Sequence, residues 1–471
     1  MINRLNIKDV KEGFANKKFT SLDVVKSCLD QIKKTDEKVN AFVTVAEEEA
    51  IEQAKKSDSM ISSGSNLPLL GIPIAVKDNF STKGIRTTAS SKVLDNYIPP
   101  FDSTVVKKLK DAGAIIIGKT NMDAWAHGSS TETSDYGATR NPWNTNHLPG
   151  GSSGGSTAAV AADQCIAAVG SETAGSIRQP ASWCGVVGFK PTYGRVSRYG
   201  VIAMASSLDS PGPITKNVED SALILEVLAG QDEMDATTSP NKVLDYSSSL
   251  SSSAKDFVIG ISDDYFDNVE EEVSAAVKKS IKKFEELGAK IENIKLFDPK
   301  YAIDVYTIVQ RSEVSSNLAR YDGKRFGNTR SFFGDEAKRR IMFGTYALSS
   351  GYYDQYYNKA SKVRSIIIKD FENAFKKVDL IIAPTSPTLA LPVGATKDQS
   401  MFGEIADVLV EPSSIAGLSG VSIPIGFSES NLPIGMQITG PQFAEEKVFK
   451  AAYLYEKETG DEEWRKLKPN L

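Results

Sequence analysis

Three side chains of this sequence stand where they could take part in covalent chemistry: Lys77, Ser152 and Ser176. Ser152 lies in the glycine-rich segment 149–157, PGGSSGGST, and Ser176 lies in the segment 171–180, SETAGSIRQP. Small residues before a serine allow a tight turn whose N–H groups converge, and such a turn can form an oxyanion hole. A plain strand-to-helix turn with an N-capping serine is the simpler interpretation of the same residues.

The glycine-rich segment has two further interpretations when it is considered alone. It could be a flexible loop, or its backbone N–H groups could hold a phosphate ahead of a helix. The segment lacks the G-K-[ST] ending of a P-loop, and its glycines do not have the spacing G-x-G-x-x-G. Phosphate binding is therefore the weaker of these alternatives.

The number of histidines limits the choice of base that would activate a serine, because the chain has only two, His127 and His147. A zinc site of several histidines is excluded, and a Ser-His-Asp hydrolase would have to use one of these two. Lys77 is the alternative base, since it follows the apolar run 72–76 and burial lowers a lysine pKa by up to ~3–5 units. A solvated lysine, or one paired with Asp78, is the commoner situation for a lysine at a strand end.

Composition favours a folded cytoplasmic protein. The chain has 471 residues, of which 41% are hydrophobic, and a net charge of −5, so a large buried core is expected and a basic nucleic-acid-binding surface is not. If RNA is involved, another chain is expected to carry most phosphate contacts. Three widely spaced cysteines indicate neither disulfides nor a metal site, and neither a signal peptide nor a membrane span is predicted. These cysteines are Cys28, Cys165 and Cys184.

Hydrophobic periodicity predicts alternating helices and strands in the first half of the chain. A long stretch rich in Gly, Ser, Thr, Asn and Pro at 127–157 is expected to work at a site, because structureless loops of this length are otherwise uncommon. The predicted elements are helices at 21–34 (capped by Thr20 or Ser21), 45–57 and 103–112, strands at 68–77 and 113–118, and a buried helix followed by a strand over 156–170.

The second half of the chain continues this alternation. The serine-rich segment 247–254 is predicted to be a surface loop, and the segments that follow it indicate a strand-helix unit and three further strands. These are a strand at 257–262, a helix at 270–287, a strand at 378–384 and a strand pair over 421–440 with a turn at 428–431. Alternation of this kind predicts an α/β fold with a sheet between helical layers.

Three separated segments resemble the amidase signature family: GIPIAVKDNF (71–80), LPGGSSGGSTAAVAA (148–162) and GSETAGSIRQPASWCGVVGFKPTYGRVSRYG (170–200). Their order and spacing also match that family, with 75 residues from Lys77 to Ser152 and 24 from Ser152 to Ser176. The resemblance implies a single α/β domain, in which a central mixed β-sheet is covered by helices on both faces. This domain is expected over 61–465, with 1–60 as an amino-terminal helical segment packed on it.

The same resemblance implies roles for the candidate residues. Ser176 would be the nucleophile, Ser152 would follow a cis peptide bond and bridge the nucleophile to a lysine, and Lys77 would be the base. The N–H groups of the turn before the nucleophile would stabilise the oxyanion; they belong to Thr173, Ala174 and Gly175. No metal is implied.

Four more segments resemble one subgroup of the family, the glutaminase components of glutamyl-tRNA(Gln)/aspartyl-tRNA(Asn) amidotransferases: 120–137, 315–327, 338–357 and 413–426. Such a component has no cofactor and belongs to a heterotrimer. It hydrolyses glutamine and passes ammonia to the B subunit, where ATP and Mg²⁺ activate the misacylated tRNA, while the C subunit clasps the pair. Whether Glu-tRNA(Gln) or Asp-tRNA(Asn) is amidated stays open. The alternatives are a free-standing amidase acting on small amides and an inert scaffold.

The subgroup resemblance also implies the contacts of glutamine. Arg340 would bind the α-carboxylate, a role suited to bidentate pairing that Arg339 could exchange with it, and Asp407 would bind the α-ammonium. Tyr306 and Ser129 would add polar contacts. The sequence departs from the family pattern at three positions: Ala174 replaces a glycine of the oxyanion turn, His127 replaces a methionine near the pocket, and Thr307 replaces a second tyrosine after Tyr306.

Overall fold

A single mixed sheet runs through the protein, for which a computed structural model describes residues 1–250, 253–396 and 402–471. The order of strands across this sheet is β1-β3-β2-β4-β6-β5-β10-β11-β9-β7-β8. The strands are β1 (Phe42–Val45), β2 (Pro73–Lys77), β3 (Ile115–Thr120), β4 (Ala167–Glu172), β5 (Val187–Lys190), β6 (Ser210–Thr215), β7 (Val258–Ile261), β8 (Lys290–Asn293), β9 (Leu380–Pro384), β10 (Ser419–Phe427) and β11 (Pro433–Gly440).

Parallel pairing occurs at two places in the sheet. β2 pairs in parallel with both β3 and β4, and β7 pairs in parallel with both β8 and β9, whereas the other pairs are antiparallel. Because successive side chains of a strand point to opposite faces, Ile74 and Val76 of β2 join one hydrophobic cluster and Ala75 joins another. Both faces of β2 are therefore buried, which explains its continuous apolar sequence.

Helices cover both faces of the sheet, as the family resemblance implies. One face carries α4, α7, α8 and α14, and the other carries α2, α3, α5 and α6. The helices are α1 (Ile7–Ala15), α2 (Ser21–Val39), α3 (Glu47–Ser62), α4 (Thr104–Asp111), α5 (Gly154–Ala161), α6 (Arg178–Cys184), α7 (Val218–Leu228), α8 (Glu271–Glu286), α9 (Lys300–Leu318), α10 (Asp335–Ala347), α11 (Lys359–Ala374), α12 (Phe402–Ala406), α13 (Glu411–Ile415) and α14 (Glu445–Glu458).

Most elements predicted from periodicity are confirmed, with shifted ends. Thr20 caps α2 through a capping box with Asp23, and the strand predicted at 113–118 occupies Ile115–Thr120. The strand predicted at 68–77 is shorter, because residues 67–71 turn before β2 begins at Pro73. The predicted loop 247–254 includes residues 251–252, which lie outside the described part, and its described residues are partly buried, with Leu250 and Ala254 in the core.

The amino-terminal segment contributes more than helices. Its strand β1 pairs with β3 and forms one edge of the sheet. This strand was not predicted from the sequence, because four residues are too few to show a periodic pattern. A boundary at residue 60 stays a prediction. Among the described residues, none of the helices has both the length and the apolar character that crossing a lipid bilayer requires.

Candidate active site

Lys77 ends β2, with β3 on one side of the strand and β4 on the other. Its side chain is fully buried. Nζ lies 2.8 Å from Ser152 Oγ and donates a hydrogen bond to the carbonyl oxygen of Ser171 at 2.9 Å. Two of the three candidate residues are thus in direct contact across 75 positions of sequence.

Burial lowers the pKa of Lys77 to about 7, and the carboxylates of Asp123, Asp209 and Glu172 act in the opposite direction. A substantial fraction of the amine is therefore neutral near pH 7 and able to accept a proton. The alternative pairing of Lys77 with Asp78 is wrong, because Asp78 faces Lys119, whose Nζ lies 3.6 Å from Asp78 Oδ1.

Ser152 follows a cis peptide bond from Gly151, as the family resemblance implies. The segment around it is buried rather than a flexible surface loop, and α5 begins two residues later at Gly154. The N–H group of Gly155 donates to the carbonyl oxygen of Asn121 at 3.1 Å. A Cβ at Gly155 would lie 2.6 Å from the carbonyl oxygen of Ala41, so this glycine packs closely against protein backbone, and its N–H group is already bonded to Asn121 rather than available to a phosphate.

Ser176 lies in the turn between β4 and α6, and this turn packs against the Ser152 segment. The N–H group of Ser153 donates to the carbonyl oxygen of Ser176 at 3.1 Å. Ser176 is only 4% exposed. The structure thus brings the two serine segments together at the end of β2, while the transfer of a proton between Ser152 and Ser176 stays a prediction.

A buried ion pair closes the turn that contains Ser176. Glu172 Oε2 accepts the N–H groups of Ile177 and Arg178, both at 3.0 Å, and Glu172 Oε1 lies 2.7 Å from the Arg178 guanidinium. This pair was not predicted from the sequence, although an acidic and a basic residue flank the glycine-serine turn there. The guanidinium also donates to five partners from the turn and the far end of the chain: Ala174 O, Val410 O, Ser413 Oγ, Ser414 Oγ and Gln437 Oε1.

The methyl group of Ala174 is accommodated without distortion of the turn. Ala174 does not have a positive φ, so its backbone does not require glycine, and its side chain belongs to a hydrophobic cluster with Tyr306, Leu409 and Ile415. Within the described part of the chain, the N–H groups of Ala174, Gly175 and Ser176 form no hydrogen bond to other backbone atoms. An arrangement of this kind can receive an oxyanion.

Gly175 is the position in this turn at which a side chain does not fit. A Cβ there would overlap Asp407 Oδ1 and would lie 2.5 Å from Val410 Cγ2. The Asp407 carboxylate therefore lies directly against the backbone before Ser176. Asp407 Oδ2 also accepts a hydrogen bond from Ser129 Oγ at 2.6 Å, which brings two of the predicted substrate contacts to the turn.

Two other predicted substrate contacts approach from α9 and α10. The Tyr306 hydroxyl lies 2.8 Å from Thr173 Oγ1, and burial raises the pKa of Tyr306, so the phenol stays protonated. Arg340 is buried and its Nε donates to Glu336 at 2.6 Å, whereas the side chain of Arg339 is 55% exposed. Arg340 is therefore the arginine that can face an interior pocket. The alternative, in which Arg339 binds the α-carboxylate instead of Arg340, is not supported.

Neither histidine is arranged as the base of a serine nucleophile. His127 is buried, and burial together with the nearby guanidinium groups of Arg340 and Arg311 lowers its pKa well below the usual value. Neither ring nitrogen of His127 has a hydrogen-bond partner among the described residues. His147 is part of a loop whose backbone pairs with Asn141 and Pro392, and burial lowers its pKa too.

Comparison with known proteins gives consistent matches over nearly the whole chain. The family model described as Amidase matches residues 23–449. The A subunit of glutamyl-tRNA(Gln) amidotransferase from Caldanaerobacter subterraneus subsp. tengcongensis is 50% identical over 469 residues, which cover 96% of each chain. The protein of the same name from Desulfatibacillum aliphaticivorans is 45% identical, and the match covers 100% of both chains.

Solved structures agree in fold over a range of sequence identity. The A subunit of glutamyl-tRNA(Gln) amidotransferase from Thermotoga maritima is 42% identical, with a TM-score of 0.81, covering 96% of this chain and 94% of that one. The peptide amidase of Stenotrophomonas maltophilia is 27% identical, with a TM-score of 0.84, covering 99% and 98%. The fold of this chain is thus shared with an amidotransferase subunit and with a peptide amidase. In sequence, the chain is more similar to the amidotransferase subunit.

Proposed function

Because this chain belongs to the amidase signature family, we propose that it is the glutaminase component of a tRNA-dependent amidotransferase. It hydrolyses glutamine to glutamate and ammonia, and the ammonia converts Glu-tRNA(Gln) to Gln-tRNA(Gln), with Asp-tRNA(Asn) as an alternative acceptor. Relatives 45% and 50% identical over nearly the full length bear the name of that component. The peptide amidase, at 27% identity, shares the fold.

One observation supports an amino-acid amide rather than a simple amide as substrate. The Asp407 carboxylate is buried directly against Gly175, next to the serine that would carry out the attack. The α-ammonium group of glutamine would be attracted to this carboxylate, because opposite charges interact strongly where water is excluded. An alkyl or aryl amide has no such group. The buried guanidinium of Arg340 suits the α-carboxylate in the same way.

In the proposed mechanism, protons pass between the three candidate residues, Ser176, Ser152 and Lys77. Neutral Lys77 accepts the proton of Ser152, and Ser152 takes that of Ser176 as Ser176 Oγ attacks the carboxamide carbon. The N–H groups of the turn stabilise the oxyanion, typically worth a factor of about 10²–10³ per donor. Collapse breaks the C–N bond, the leaving nitrogen takes a proton back along the same path, and ammonia departs. Water then hydrolyses the Ser176 acyl ester to release glutamate.

The later steps of the reaction belong to other chains of a heterotrimer in this proposal. The B subunit uses ATP and Mg²⁺ to activate the tRNA-bound carboxylate and holds most of the tRNA, and the C subunit clasps the two larger chains. The net charge of −5 is consistent with tRNA being held mainly by a partner. Because the proposed reaction takes place on charged tRNA, we also propose a cytoplasmic location for the protein.

The proposal is tested by measuring glutamine hydrolysis with and without copurified partners and charged tRNA. Ser176→Ala is expected to abolish glutamine-dependent amide transfer and to spare transfer from added ammonia. Ser153→Ala is the matched control, because it removes a neighbouring hydroxyl that donates to Ser171 O at 3.2 Å, and it should retain glutamine hydrolysis. Turnover of alkyl or aryl amides without preference for glutamine, and without partners, would instead identify a free-standing amidase.

A further inference from the structure

Asp123 is a buried carboxylate that the proposed chemistry does not use, and a short loop folds around it. Its Oδ2 accepts hydrogen bonds from the N–H groups of Ser130 at 3.1 Å and Thr131 at 2.9 Å. Its Oδ1 accepts the Thr133 N–H at 3.4 Å and the Thr133 hydroxyl at 2.9 Å. Four hydrogen bonds from three residues thus fix this loop to one side chain.

These donors suit the ionised form of the side chain. Burial raises the pKa of Asp123 above its usual value, and the hydrogen bonds from Thr131, Thr133 and Ser130 offset part of that rise. A carboxylate that accepts several N–H and O–H groups is stabilised as the anion, because a protonated carboxyl would have to direct its own hydrogen at one of these donors. The loop therefore presents hydrogen-bond donors to both oxygens of the Asp123 carboxylate.

The same carboxylate is packed against the residue that precedes Ser152. A Cβ at Gly151 would overlap Asp123 Oδ2 and would lie 2.7 Å from the backbone nitrogen of Ser130. The Thr131 hydroxyl also donates to the carbonyl oxygen of Gly150 at 2.8 Å. The loop and the turn at 150–152 are therefore in direct contact, with the Asp123 carboxylate between them.

The loop held in this way leads to the substrate end of the site. The loop begins with Ser129, the residue before Ser130, and Ser129 Oγ donates to Asp407 Oδ2 at 2.6 Å. Asp407 in turn lies against Gly175. A displacement of the loop would therefore move Ser129 and Asp407 relative to Ser152, which is bonded to Lys77.

We propose that Asp123 is a positioning residue that joins the loop carrying Ser129 to the turn carrying Ser152, and so keeps a bound amide in register with the Lys77–Ser152 pair. This inference rests on the proposed function. Rates of enzymatic reactions fall steeply when reacting groups are misplaced by about 1 Å, so a carboxylate that fixes two segments at once has a large effect without touching substrate.

The charge of Asp123 gives the inference a second, independent readout. Three carboxylates raise the pKa of Lys77 against the larger effect of burial: Asp123 from the segment after β3, Asp209 from the segment before β6 and Glu172 from β4. Removing the Asp123 charge therefore favours the neutral amine. The acidic limb of the pH–rate profile should then move to lower pH, which a purely structural role for Asp123 would not cause.

The test compares Asp123→Asn with the pair Thr133→Val and Thr133→Ser. Asp123→Asn removes the charge at nearly constant shape and is expected to lower kcat/KM for glutamine about 100-fold, chiefly through kcat, and to move the acidic limb to lower pH. Thr133→Val removes one hydroxyl donor and should lower kcat/KM several-fold, whereas Thr133→Ser restores that donor and should recover the rate.

Asp220→Asn is the matched control. The Asp220 carboxylate is also buried, and it accepts the Ile7 N–H at 3.2 and 3.1 Å. It therefore joins α7 to α1 rather than to the segments of the candidate site. Its replacement should change thermal stability but should leave kcat, KM and the acidic limb of the pH–rate profile unchanged. A folded Asp123→Asn protein with unchanged kcat, KM and limb would overturn the inference. If that variant does not fold, equal rates for Thr133→Val and Thr133→Ser would overturn it.

A phosphonyl fluoride separates this inference from the proposed function, because it modifies an activated serine whatever the natural substrate. Mass spectrometry measures the rate of Ser176 modification at each pH. In Asp123→Asn this rate should be lower, and the acidic limb of its pH profile should lie at lower pH, as expected for glutamine hydrolysis. A wild-type chain that is modified at Ser176 but does not hydrolyse glutamine with its partners would refute the glutaminase proposal. The Asp123 comparison would still be decided by the modification rates.

Discussion

The amine of Lys77 and the hydroxyl of Ser152 lie 2.8 Å apart in the interior, although 75 residues separate them in sequence. Neither side chain is exposed to solvent. A lysine in this position gains little from hydration, so its charged form is disfavoured and its neutral form becomes available as a base. The properties of the site therefore depend on protein burial as much as on the identity of the residues.

We expect kcat/KM for glutamine to rise with pH through a midpoint near 7 and to level off above it. The physical reason is that Lys77 must be neutral to accept a proton, and burial lowers its pKa to about 7. Lys77→Arg should be inactive throughout, since a guanidinium stays charged. Steady-state rates at constant ionic strength from about pH 5.5 to 9 measure the midpoint; a profile flat across this range would argue against Lys77 as the base.

Three buried lysines should make stability increase with pH between about 7 and 10. Burial lowers the pKa of Lys77 to about 7, of Lys119 to about 8 and of Lys190 to about 7. In this range the unfolded lysines bind more protons than the folded ones, so their contribution to the free energy of unfolding rises with pH. The increase is at most about 1.4 kcal/mol per pH unit for each lysine.

Lys190→Met isolates one of these contributions. Lys190 Nζ donates to Leu418 O at 2.7 Å and to Pro191 O at 3.0 Å. Its replacement should reduce the slope of unfolding free energy against pH, measured by urea denaturation at about pH 7, 8 and 9. The difference from the wild type is the quantity of interest, because buried thiols whose pKa is raised oppose the lysines at the alkaline end. An unchanged slope would show that Lys190 is charged in the folded protein.

Gly175→Ala should impair the site far more than Ala174→Gly. An added methyl at Gly175 would overlap Asp407 Oδ1, so the carboxylate must move, and we expect KM for glutamine to rise at least about 10-fold. Ala174→Gly removes a buried methyl from a hydrophobic cluster and should cost about 1–2 kcal/mol of stability without raising kcat. Kinetics and thermal melts of both variants make the comparison; a faster Ala174→Gly enzyme would mean that the methyl crowds the oxyanion.

Arg340→Lys and Arg339→Lys form a second matched pair. Arg340 is buried beside Glu336 while the Arg339 side chain is 55% exposed. Loss of bidentate pairing with a substrate carboxylate should raise KM for glutamine by about 10–100-fold in Arg340→Lys, and Arg339→Lys should leave KM unchanged. Equal effects of the two substitutions would remove Arg340 from the substrate site.

Arg178→Met should destabilise the protein by about 3–5 kcal/mol, because it leaves the buried Glu172 carboxylate without its partner. Both side chains are inaccessible to solvent, and their closest atoms are 2.7 Å apart. The turn of Ser176 should lose its fixed geometry at the same time, so Ser176 acylation should slow. Urea denaturation and acylation rates measure the two effects, and the double variant Glu172→Gln/Arg178→Met should recover part of the stability but not the acylation rate.

Local sequence was sufficient to predict most of the elements and the environment of Lys77. The apolar run of residues 72–76 predicted a buried strand ending in a lysine, and β2 has that form, with a pKa lowered as burial requires. The strand pair at the carboxyl end was also predictable, since β10 and β11 are joined by a short turn. In each of these cases the information lies within a short stretch of consecutive residues.

The partners of the candidate residues were not predictable in the same way. Thr173 bonds to Tyr306, Gly175 lies against Asp407, and Arg178 donates to the carbonyl oxygen of Val410, 232 positions away. Resemblance to a family named some of these residues without their contacts, and it did not indicate Glu172 or Asp123. Their importance follows from burial and from hydrogen bonds that no local pattern encodes.

The sequence by itself therefore determined which residues could do chemistry, the strands and helices that carry them and the family to which the chain is similar, because side-chain chemistry and hydrophobic periodicity are local properties. Only the tertiary structure decided that Lys77 contacts Ser152, that Asp407 faces Gly175 and that Asp123 lies between the Ser129 loop and the Ser152 turn. These contacts depend on the order of strands across the sheet and on the helices packed at their ends, and that order is set by burial of the whole chain at once.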